Sequence, residues 1–475
     1  MDTPERNVEK YTAVLVAQYL KKKGYLNTLK DFQREASVPV SVTDDLDNGT
    51  ASSKLDDLQS IVSDRVGFDD YMLKDMLKDL TLNDALPPID TERFRISSWN
   101  FDVKFNNVAS KSLNFIPISM AFCHDSPESL LISTAGRELA VFDEQLDKQK
   151  TVVDENGKSL GVVKLAGAIP GSNMLYACTM DGSLHLFNEK YESLQNGKHK
   201  LHARMITQIQ FSKKSHHEWY VVTSGMDNTL KVSILDNSTL CPTLTERSVT
   251  NLLSACTTMN MASCEVTVGN SKITKQLVIL SRMDFTHLVC YLIDENSKLQ
   301  NIFNIALNNA QFSTHSFNVR DVEIINAQDY TNTPIFSHST FLAVATSHVP
   351  YMRLVLVELP DITEAIESYY NSEGTPDTSS MQTHTYYDKI MRNIATQIPQ
   401  DSYSQPVMKY IPKCGGLVVG GDASLYAIDL HNGESWELEV AGYTPGERVK
   451  SLDVDRVSST ISVGTASKNA LVAKL

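Results

Sequence analysis

The feature that most constrains the fold is a repeated unit that begins near residue 95 and recurs through the rest of the chain. Each unit contains a strand, a loop, a second strand, a tight polar turn and a third strand. The units recur at roughly 40–45 residues, the period of a propeller blade. The clearest unit runs from Ile206 to Asp236. The pattern predicts a mainly β fold in which similar blades surround an axis.

Seven such units can be traced, and they centre on residues 118–143, 161–187, 206–236, 277–292, 341–357, 417–429 and 449–473. A propeller must close, so one blade usually combines strands from both ends of the domain. The segment from Phe94 to Phe105 has the pattern to supply the missing outer strand. We therefore predict seven blades, while six or eight remain open because blade boundaries are hard to place from sequence.

The third unit resembles the central signature of WD-repeat blades in the run that starts at Thr223 and reads Thr-Ser-Gly-Met-Asp-Asn-Thr-Leu-Lys-Val. Ser233 stands where that family prefers Trp. In the family, a His, a Ser or Thr, the turn Asp and the Trp form a hydrogen-bonded chain that stiffens the blade. The resemblance implies a partial version of this chain made by His202, Ser224 and Asp227, with a structural role.

A second pattern, near the N-terminus, predicts a helical hairpin. From Val8 to Lys23 the apolar residues recur at helical spacing, which places Leu15 one turn from Tyr19 on a shared face. Three lysines and then Gly24 are typical of a helix end. A second amphipathic helix follows. Fewer than ~40 residues rarely fold alone, so a second copy, packed as a two-fold symmetric four-helix unit, is the simplest partner.

This segment resembles the LisH motif, whose pattern is a Leu, a Tyr-Leu pair, Gly-Tyr, a Thr, then Phe and Glu. Leu29 departs from the pattern, because the family usually has Ala there. The resemblance implies dimerisation through Leu15, Val16, Tyr19, Leu20, Gly24, Tyr25, Thr28, Leu29, Phe32 and Glu35. In the alternative interpretation, the hairpin packs on the rest of its own chain.

We expect three regions: the LisH motif at 1–38, a flexible tether with acidic amphipathic helices at 39–91, and a propeller at 92–475. The helices of the second region carry Leu55, Leu58 and Val62, then a run from Met72 to Leu80. They either dock on the main domain, extend the dimer or form a partner-binding arm. A long insertion at about 360–405 contains a Ser/Thr-rich stretch and a helical pattern from Tyr387 to Ile398.

Charge and targeting signals restrict the partners. The formal net charge of -14 opposes non-specific binding to nucleic acid or to an anionic membrane, because both depend on clustered Lys and Arg. We expect no direct nucleic-acid partner and no membrane partner. The chain shows no signal peptide and no run near the ~18 apolar residues that span a bilayer. These features predict a soluble intracellular protein of the nucleus, the cytoplasm or both, and not a secreted one.

Residues with catalytic potential do not form a recognisable constellation. The chain lacks a phosphate-binding loop, a Gly-x-Ser-x-Gly elbow and a His-Glu-x-x-His motif. The adjacent residues Cys123, His124 and Asp125 lack the spaced ligands of a zinc site, and so does the pair His216–His217. Seven cysteines lie far apart without Cys-x-x-Cys spacing and are predicted to be reduced thiols: Cys123, Cys178, Cys241, Cys256, Cys264, Cys290 and Cys414. We predict no enzyme activity, no cofactor and no metal.

The two resemblances imply a non-enzymatic scaffold that self-associates through LisH and presents a propeller and its insertion to other protein subunits. Proteins with both motifs serve in regulatory complexes, and a role as adaptor or core subunit of a ubiquitin-ligase assembly is the nearest alternative. Two other hypotheses stay open. One is an enzyme whose site lies at the central channel, and the other is a monomeric propeller that binds a small molecule.

Overall fold

The computed structural model describes residues 4–38, 58–59, 61–62, 65–66, 94, 96–99, 104–123, 126–239, 241–268, 271–308, 317–326, 335–336, 340–366 and 383–475. The predicted tether, Leu55 and the run from Met72 to Leu80 lie outside these residues. So does the part of the Ser/Thr-rich stretch before residue 383. Leu58 and Val62 of the predicted arm are helical.

The N-terminal pattern forms the predicted helical hairpin. Helix α1 spans Pro4–Lys22 and α2 spans Leu26–Glu35. Gly24 lies between them at φ +77°, in the left-handed region where glycine avoids the strain that a Cβ introduces. The two helices enclose a small buried cluster of Ala17, Leu29 and Val38. Within the described ranges, neither helix has the length and apolar character needed to cross a bilayer.

The first three blades are four-stranded antiparallel sheets in simple sequence order. Blade 1 contains β2 (Pro117–Cys123), β3 (Ser126–Thr134), β4 (Leu139–Phe142) and β5 (Lys148–Val152). Blade 2 contains β6 (Val163–Ala168), β7 (Leu175–Thr179), β8 (Ser183–Phe187) and β9 (Ser193–Lys200). Blade 3 contains β10 (Ile206–Lys213), β11 (Glu218–Gly225), β12 (Thr229–Asp236) and β13 (Thr243–Asn251).

Blades 4 and 5 are less regular. Blade 4 contains β14 (Cys256–Val268), β15 (Ser271–Arg282), β16 (His287–Ile293) and β17 (Leu299–Ala306). Two short strands, β19 (Ile335–Phe336) and β22 (His384–Tyr386), extend its two edges in parallel pairing. Blade 5 contains β18 (Val319–Asn326), β20 (Thr340–Thr346), β21 (Tyr351–Glu358) and β23 (Ile390–Pro399).

The last two blades complete the circle. Blade 6 contains β24 (Val407–Ile411), β25 (Gly416–Gly420), β26 (Leu425–Asp429) and β27 (Ser435–Glu437). Blade 7 contains β28 (Val449–Asp455), β29 (Thr460–Thr465) and β30 (Asn469–Lys474), with β1 (Asn106–Ser112) as its outer strand. The inner strands β2, β6, β10, β14, β18, β24 and β28 contact one another in that order, and β28 contacts β2. The prediction of a seven-bladed propeller is confirmed.

Burial follows the position of a strand within its blade. Strand β20 is buried along its whole length, because neighbouring blades cover both faces of a middle strand. Outer strands such as β5 and β13 are mostly exposed and polar. The core therefore lies between blades, and each hydrophobic cluster joins side chains of two neighbours, as in the cluster shared by blades 2 and 3.

The prediction that 94–105 forms the missing outer strand is wrong. The strand that pairs with β30 is β1, in register from Asn106 opposite Lys474 to Ser112 opposite Asn469. An outer strand faces solvent, and the polar sequence Asn-Asn-Val-Ala-Ser-Lys-Ser suits that position. The preceding apolar residues are instead buried: Phe94, Ile96, Trp99 and Phe105 join the clusters of blades 5, 6 and 7.

This buried segment is anchored mainly on blade 6. The ring of Trp99 lies edge-on to Trp436 at 5.8 Å, and the hydroxyl of Ser98 donates to Asp429 at 2.8 Å. A Cβ at Gly415 would collide with the backbone of Ser97, so glycine permits the close approach. The chain is thus fixed against blade 6 before it enters β1 and closes blade 7.

The predicted helical pattern from Tyr387 to Ile398 is also wrong, because residues 390–399 form β23, the outer strand of blade 5. Ile394 and Ile398 are four apart, which fits a helix face, but Thr396 between them is buried as well. Pairing with β21 selects the two-residue period. The predicted insertion at 360–405 therefore supplies part of the propeller itself.

Replacement of Trp99 by Ala should destabilise the propeller by about 3–5 kcal/mol, because it empties a buried aromatic site. Trp99→Phe should cost less, since the indole Nε1 has no hydrogen-bond partner among the described residues. Urea unfolding followed by circular dichroism measures both. Trp436→Ala, at a half-buried partner, is the control and should cost less than Trp99→Ala. A loss below about 1 kcal/mol for Trp99→Ala would contradict the anchoring role.

Candidate functional site

The LisH-like residues divide into a buried and an exposed set. Leu15 and Leu29 are buried, whereas Val16, Tyr19, Leu20 and Phe32 are half-buried. The exposed members of the predicted set are Gly24, Tyr25, Thr28 and Glu35. Tyr25 is 55% exposed, and Leu26, which the sequence did not single out, is 57% exposed. The hairpin therefore keeps accessible apolar surface at the start of α2.

The polar network of blade 3 links the loop before β10 to the turn after β11. The Nδ1 of His202 lies 3.0 Å from a carboxylate oxygen of Asp227, and its Nε2 lies 2.9 Å from the hydroxyl of Thr223. The structure thus brings His202 and Asp227 together but places Thr223, not Ser224, against the ring. Successive side chains of a strand point to opposite faces, so only one of these two neighbours can face His202.

Thr229 completes this network, and sequence reasoning missed it. Its hydroxyl donates to Asp227 at 2.8 Å and lies 3.0 Å from the Nδ1 of His202. Burial lowers the pKa of His202, which favours the neutral ring. Burial opposes ionisation of Asp227, but hydrogen bonds from Thr229 and His202 hold its pKa below the ordinary value. A neutral histidine clamped by three partners supports a loop and leaves no free base.

A cavity of about 600 Å³ lies where the seven inner strands meet. Polar side chains of the inner strands, of which Gln208 lines the cavity, tie one inner strand to the next. Gln208 and Gln210 of β10 donate to the carbonyls of Thr257 and Met259 in β14, at 3.1 and 3.0 Å. Asn260 of β14 donates to the carbonyl of Val322 in β18 at 2.7 Å.

Carboxylates make the same kind of link elsewhere in the ring. Asp321 and Glu323 of β18 accept from the backbone N–H groups of Met408 and Tyr410 in β24, at 2.8 and 3.3 Å. Asp453 of β28 accepts from the N–H of Phe122 in β2 at 2.9 Å. These carboxylates therefore accept hydrogen bonds from backbone N–H groups at strand edges. The same oxygen atoms would have to act as a general acid or base, so the two roles compete.

Two titratable groups of the channel are shifted by these surroundings. Burial raises the pKa of Asp321 to about 6, although the hydrogen bond from Met408 opposes the rise. The negative charge of Glu323 is the main cause that raises the pKa of Lys409. Glu323 also forms an ion pair with Arg456 at 2.7 Å. The cluster is a neutralising network of opposite charges.

Within the described ranges, the remaining reactive groups give no catalytic or metal arrangement. All seven cysteines are free thiols, and burial raises the pKa of Cys256 and Cys264 to about 12. Such thiols are poor nucleophiles because the thiolate is the reactive form. Among the residues that the structure describes, no three His, Cys, Asp or Glu side chains are placed to hold a metal ion.

His287 is a buried histidine at the start of β16. Its ring stacks on Phe285 at 4.6 Å, and neither ring nitrogen has a hydrogen-bond partner among the described residues. Burial, followed by the positive charge of Arg282, lowers the pKa of His287 to about 4. The ring is therefore neutral in the folded protein at physiological pH.

Two domain models match the chain. The model of the UCP007778 LisH domain matches residues 10–44, and that of the UCP007778 beta-propeller domain matches residues 80–474. Fold and match together define a protein with a LisH hairpin and a propeller, two domains of kinds that generally mediate protein–protein interactions. The chain belongs to the UCP007778 family.

A relative of nearly the same length exists in Saccharomyces cerevisiae. The chain is 37% identical over 477 residues to the protein named "Uncharacterized protein YGR117C". The alignment covers 97% of this chain and 96% of the relative. The similarity therefore includes the hairpin, the region between it and the propeller, and the propeller itself.

His287 makes the protein sensitive to acid in a defined range. An unfolded histidine titrates near ~6.5, so between that pH and about 4 the unfolded state binds a proton that the folded state does not. The free energy of unfolding therefore falls as the pH decreases through this range. His287→Leu should remove this contribution, on the order of 3 kcal/mol over the full range. Urea unfolding at about pH 7 and pH 4.5 measures it.

The comparison between the two chains isolates His287. Asp321 acts in the opposite direction: its raised pKa of about 6 adds stability as the pH falls, but it is present in both chains. Equal pH dependence in the His287→Leu and unaltered chains would contradict the assignment.

Proposed function

We propose that this protein is a non-enzymatic scaffold. It self-associates through the hairpin α1–α2 and presents its propeller to other subunits of a regulatory complex. The membership of a LisH and propeller family supports the interaction role. The polar side chains of the channel support the non-catalytic part, because they are used in links between inner strands.

The observation that carries the self-association is the incomplete burial of the hairpin. The ten residues of α2 contribute one fully buried side chain, Leu29, and the start of the helix leaves Tyr25 and Leu26 more than half exposed. Exposed aromatic and aliphatic side chains on so small a unit favour a partner surface. A second copy offers the same surface and closes the contact by two-fold symmetry.

Dimerisation gives this scaffold a physical mechanism. Two propellers in one particle present two identical surfaces, so two weak contacts to one target or assembly act together. The gain in affinity through effective concentration is ~10²–10⁴ when both contacts can form at once. Partners bound by one propeller alone would dissociate more readily.

Combined replacement of Tyr19, Tyr25 and Leu26 by Ala should convert the protein to a monomer, because these half-buried or exposed apolar side chains supply the surface that a second copy would cover. Light scattering coupled to gel filtration at micromolar concentration measures the mass. Alanine at Lys23, Asn27 and Lys30, all exposed on the same hairpin, provides the matched control and should keep the dimer. A monomeric unaltered protein would refute self-association.

Proteins that co-purify with the intact chain should be retained less well by a chain that starts at residue 40, since valency is lost. Quantitative mass spectrometry measures the difference. A third chain, in which residues 367–382 are replaced by Gly and Ser, tests the insertion and leaves β22 and β23 intact. Identical partner sets and amounts for the intact chain and the chain from residue 40 would contradict the valency mechanism.

A further inference from the structure

Six of the seven inner strands carry a β-bulge at their second residue. In each case the pairing register with the next strand skips that residue, and every skipped residue lines the central cavity. The skipped residues are Ile118, Lys164, Thr207, Thr257, Arg320 and Lys450. Bulges redirect side chains and occur next to functional sites. The six positions form a ring, called the rim below, on the face where the inner strands begin, called the top face.

Three of the six rim residues are cations, in a protein with a net charge of -14. Among the described residues, neither Lys164 nor Lys450 forms an ion pair or a side-chain hydrogen bond. Burial and the positive charge of Lys450 lower the pKa of Lys164, so the two lysines act on each other as like charges. Arg320 donates to the carbonyl of Ser402 at 2.7 Å, while its buried Nε has no partner among the described residues.

The carboxylates in and near the channel interact with groups other than Lys164 and Lys450. Asp321 and Asp453 accept backbone N–H groups of neighbouring inner strands, and both raise the pKa of Lys409 through their charge. Asp422 forms an ion pair with Arg448 at 2.8 Å. The positive charge of Lys164 and Lys450 therefore stays available to a ligand.

Exposed apolar side chains lie on the top face in three neighbouring blades. Met180, Met226 and Met283 occupy the same turn position in blades 2, 3 and 4 and are 48%, 41% and 47% exposed. The backbone N–H of each donates to the carbonyl of the residue just before the inner strand of its blade: Val162, Met205 and Ala255. Exposed methionines adapt to varied apolar partners and are common on binding surfaces.

One aromatic side chain is presented beside them. Tyr403 is 81% exposed in the loop between β23 and β24. Two arginine side chains hold this loop in place. Arg320 donates to the carbonyl of Ser402, and Arg448 donates to the carbonyl of Tyr403 at 3.4 Å. A tyrosine held at the surface by a tied loop loses little conformational entropy on binding, as expected of an interface anchor.

We infer that the top face binds an acidic peptide segment of a partner protein, with its carboxylate or phosphorylated side chains on Lys164 and Lys450 and its apolar side chains on the methionines. This inference rests on the proposed scaffold function and names the surface and the chemistry of its partner. The presence of both cationic and apolar side chains on the top face favours a peptide over a free anion. A free anion would contact the lysines but not the three exposed methionines and the tyrosine.

Fluorescence anisotropy of the full-length protein tests the site with two labelled twelve-residue peptides. One contains Glu, Leu and Gly in equal numbers, and the other has Gln in place of each Glu. The Glu peptide should bind about tenfold more tightly than the Gln peptide, and added salt should reduce the difference. Lys164→Glu/Lys450→Glu should abolish it. Lys190→Glu/Lys198→Glu, with the same charge change at exposed positions toward the outer side of blade 2, should retain it.

The apolar part has its own readout. Met180→Ser/Met226→Ser should weaken both peptides by a similar factor, because it removes contact area and no charge. Lys164→Gln/Lys450→Gln, checked by thermal unfolding, separates loss of binding from loss of folding. Equal affinity for the two peptides, or unchanged binding by folded Lys164→Glu/Lys450→Glu protein, would overturn the site. Such a result would leave self-association intact, whereas a monomeric unaltered protein would refute self-association and not the peptide site.

Discussion

Closure of the ring formed by the seven inner strands is the constraint on which the rest of the structure depends. Each inner strand has one edge paired within its blade and directs most of its other edge toward a neighbouring blade, although β19 also pairs with part of that edge in β14. Side chains such as Gln208, Asn260 and Asp453 satisfy backbone groups on these edges. An unpaired buried backbone group costs free energy comparable to a lost hydrogen bond, so these contacts stabilise the circle. Blade 7 then closes through β1 and β30, which join the two ends of the domain.

This constraint also determines where chemistry is available. Several polar groups of the inner strands bind strand edges or each other, as Glu323 does with Tyr410 and Arg456. At the rim, the bulges turn the side chains of six inner strands toward the cavity, and there Lys164 and Lys450 form no ion pair among the described residues. The register of the inner strands thus places the side chains of Lys164 and Lys450 on the top face. A surface of this kind is suited to recognition of a partner.

The hairpin and the propeller contribute different properties. The propeller has extensive clusters between blades and provides a rigid surface. The hairpin buries Ala17, Leu29 and Val38 in its own cluster and keeps apolar surface at Tyr25 and Leu26. Its small core favours association over independent stability, because a short chain buries too little apolar area to offset its conformational entropy. The combination joins a hairpin with a small core of its own to a propeller with an extensive core.

The sequence by itself determined the features that depend on local chemistry. The end of α1 at Gly24, the two helices of the hairpin and the seven strand-rich units follow from periodicity and turn residues that each act within a few positions. The pairing of His202 with Asp227 came from the resemblance of one blade to a known pattern, and the WD-repeat class itself stays a prediction.

Only the tertiary structure decided which strand closes the ring, which hydroxyl faces His202 and what the segment after Tyr387 forms. The segment 94–105 is rich in the aromatic residues that favour strands, but the outer position of blade 7 is exposed, so the polar β1 occupies it. Thr223 and Ser224 both carry a hydroxyl group, and they lie on opposite faces of the strand, so the fold decides which of them contacts His202. The sequence of residues 390–399 is compatible with a helix or a strand, and these residues form a strand because they pair with the edge of β21. The rim bulges likewise arise where separate strands meet, because register is a property of pairs and no single segment encodes it.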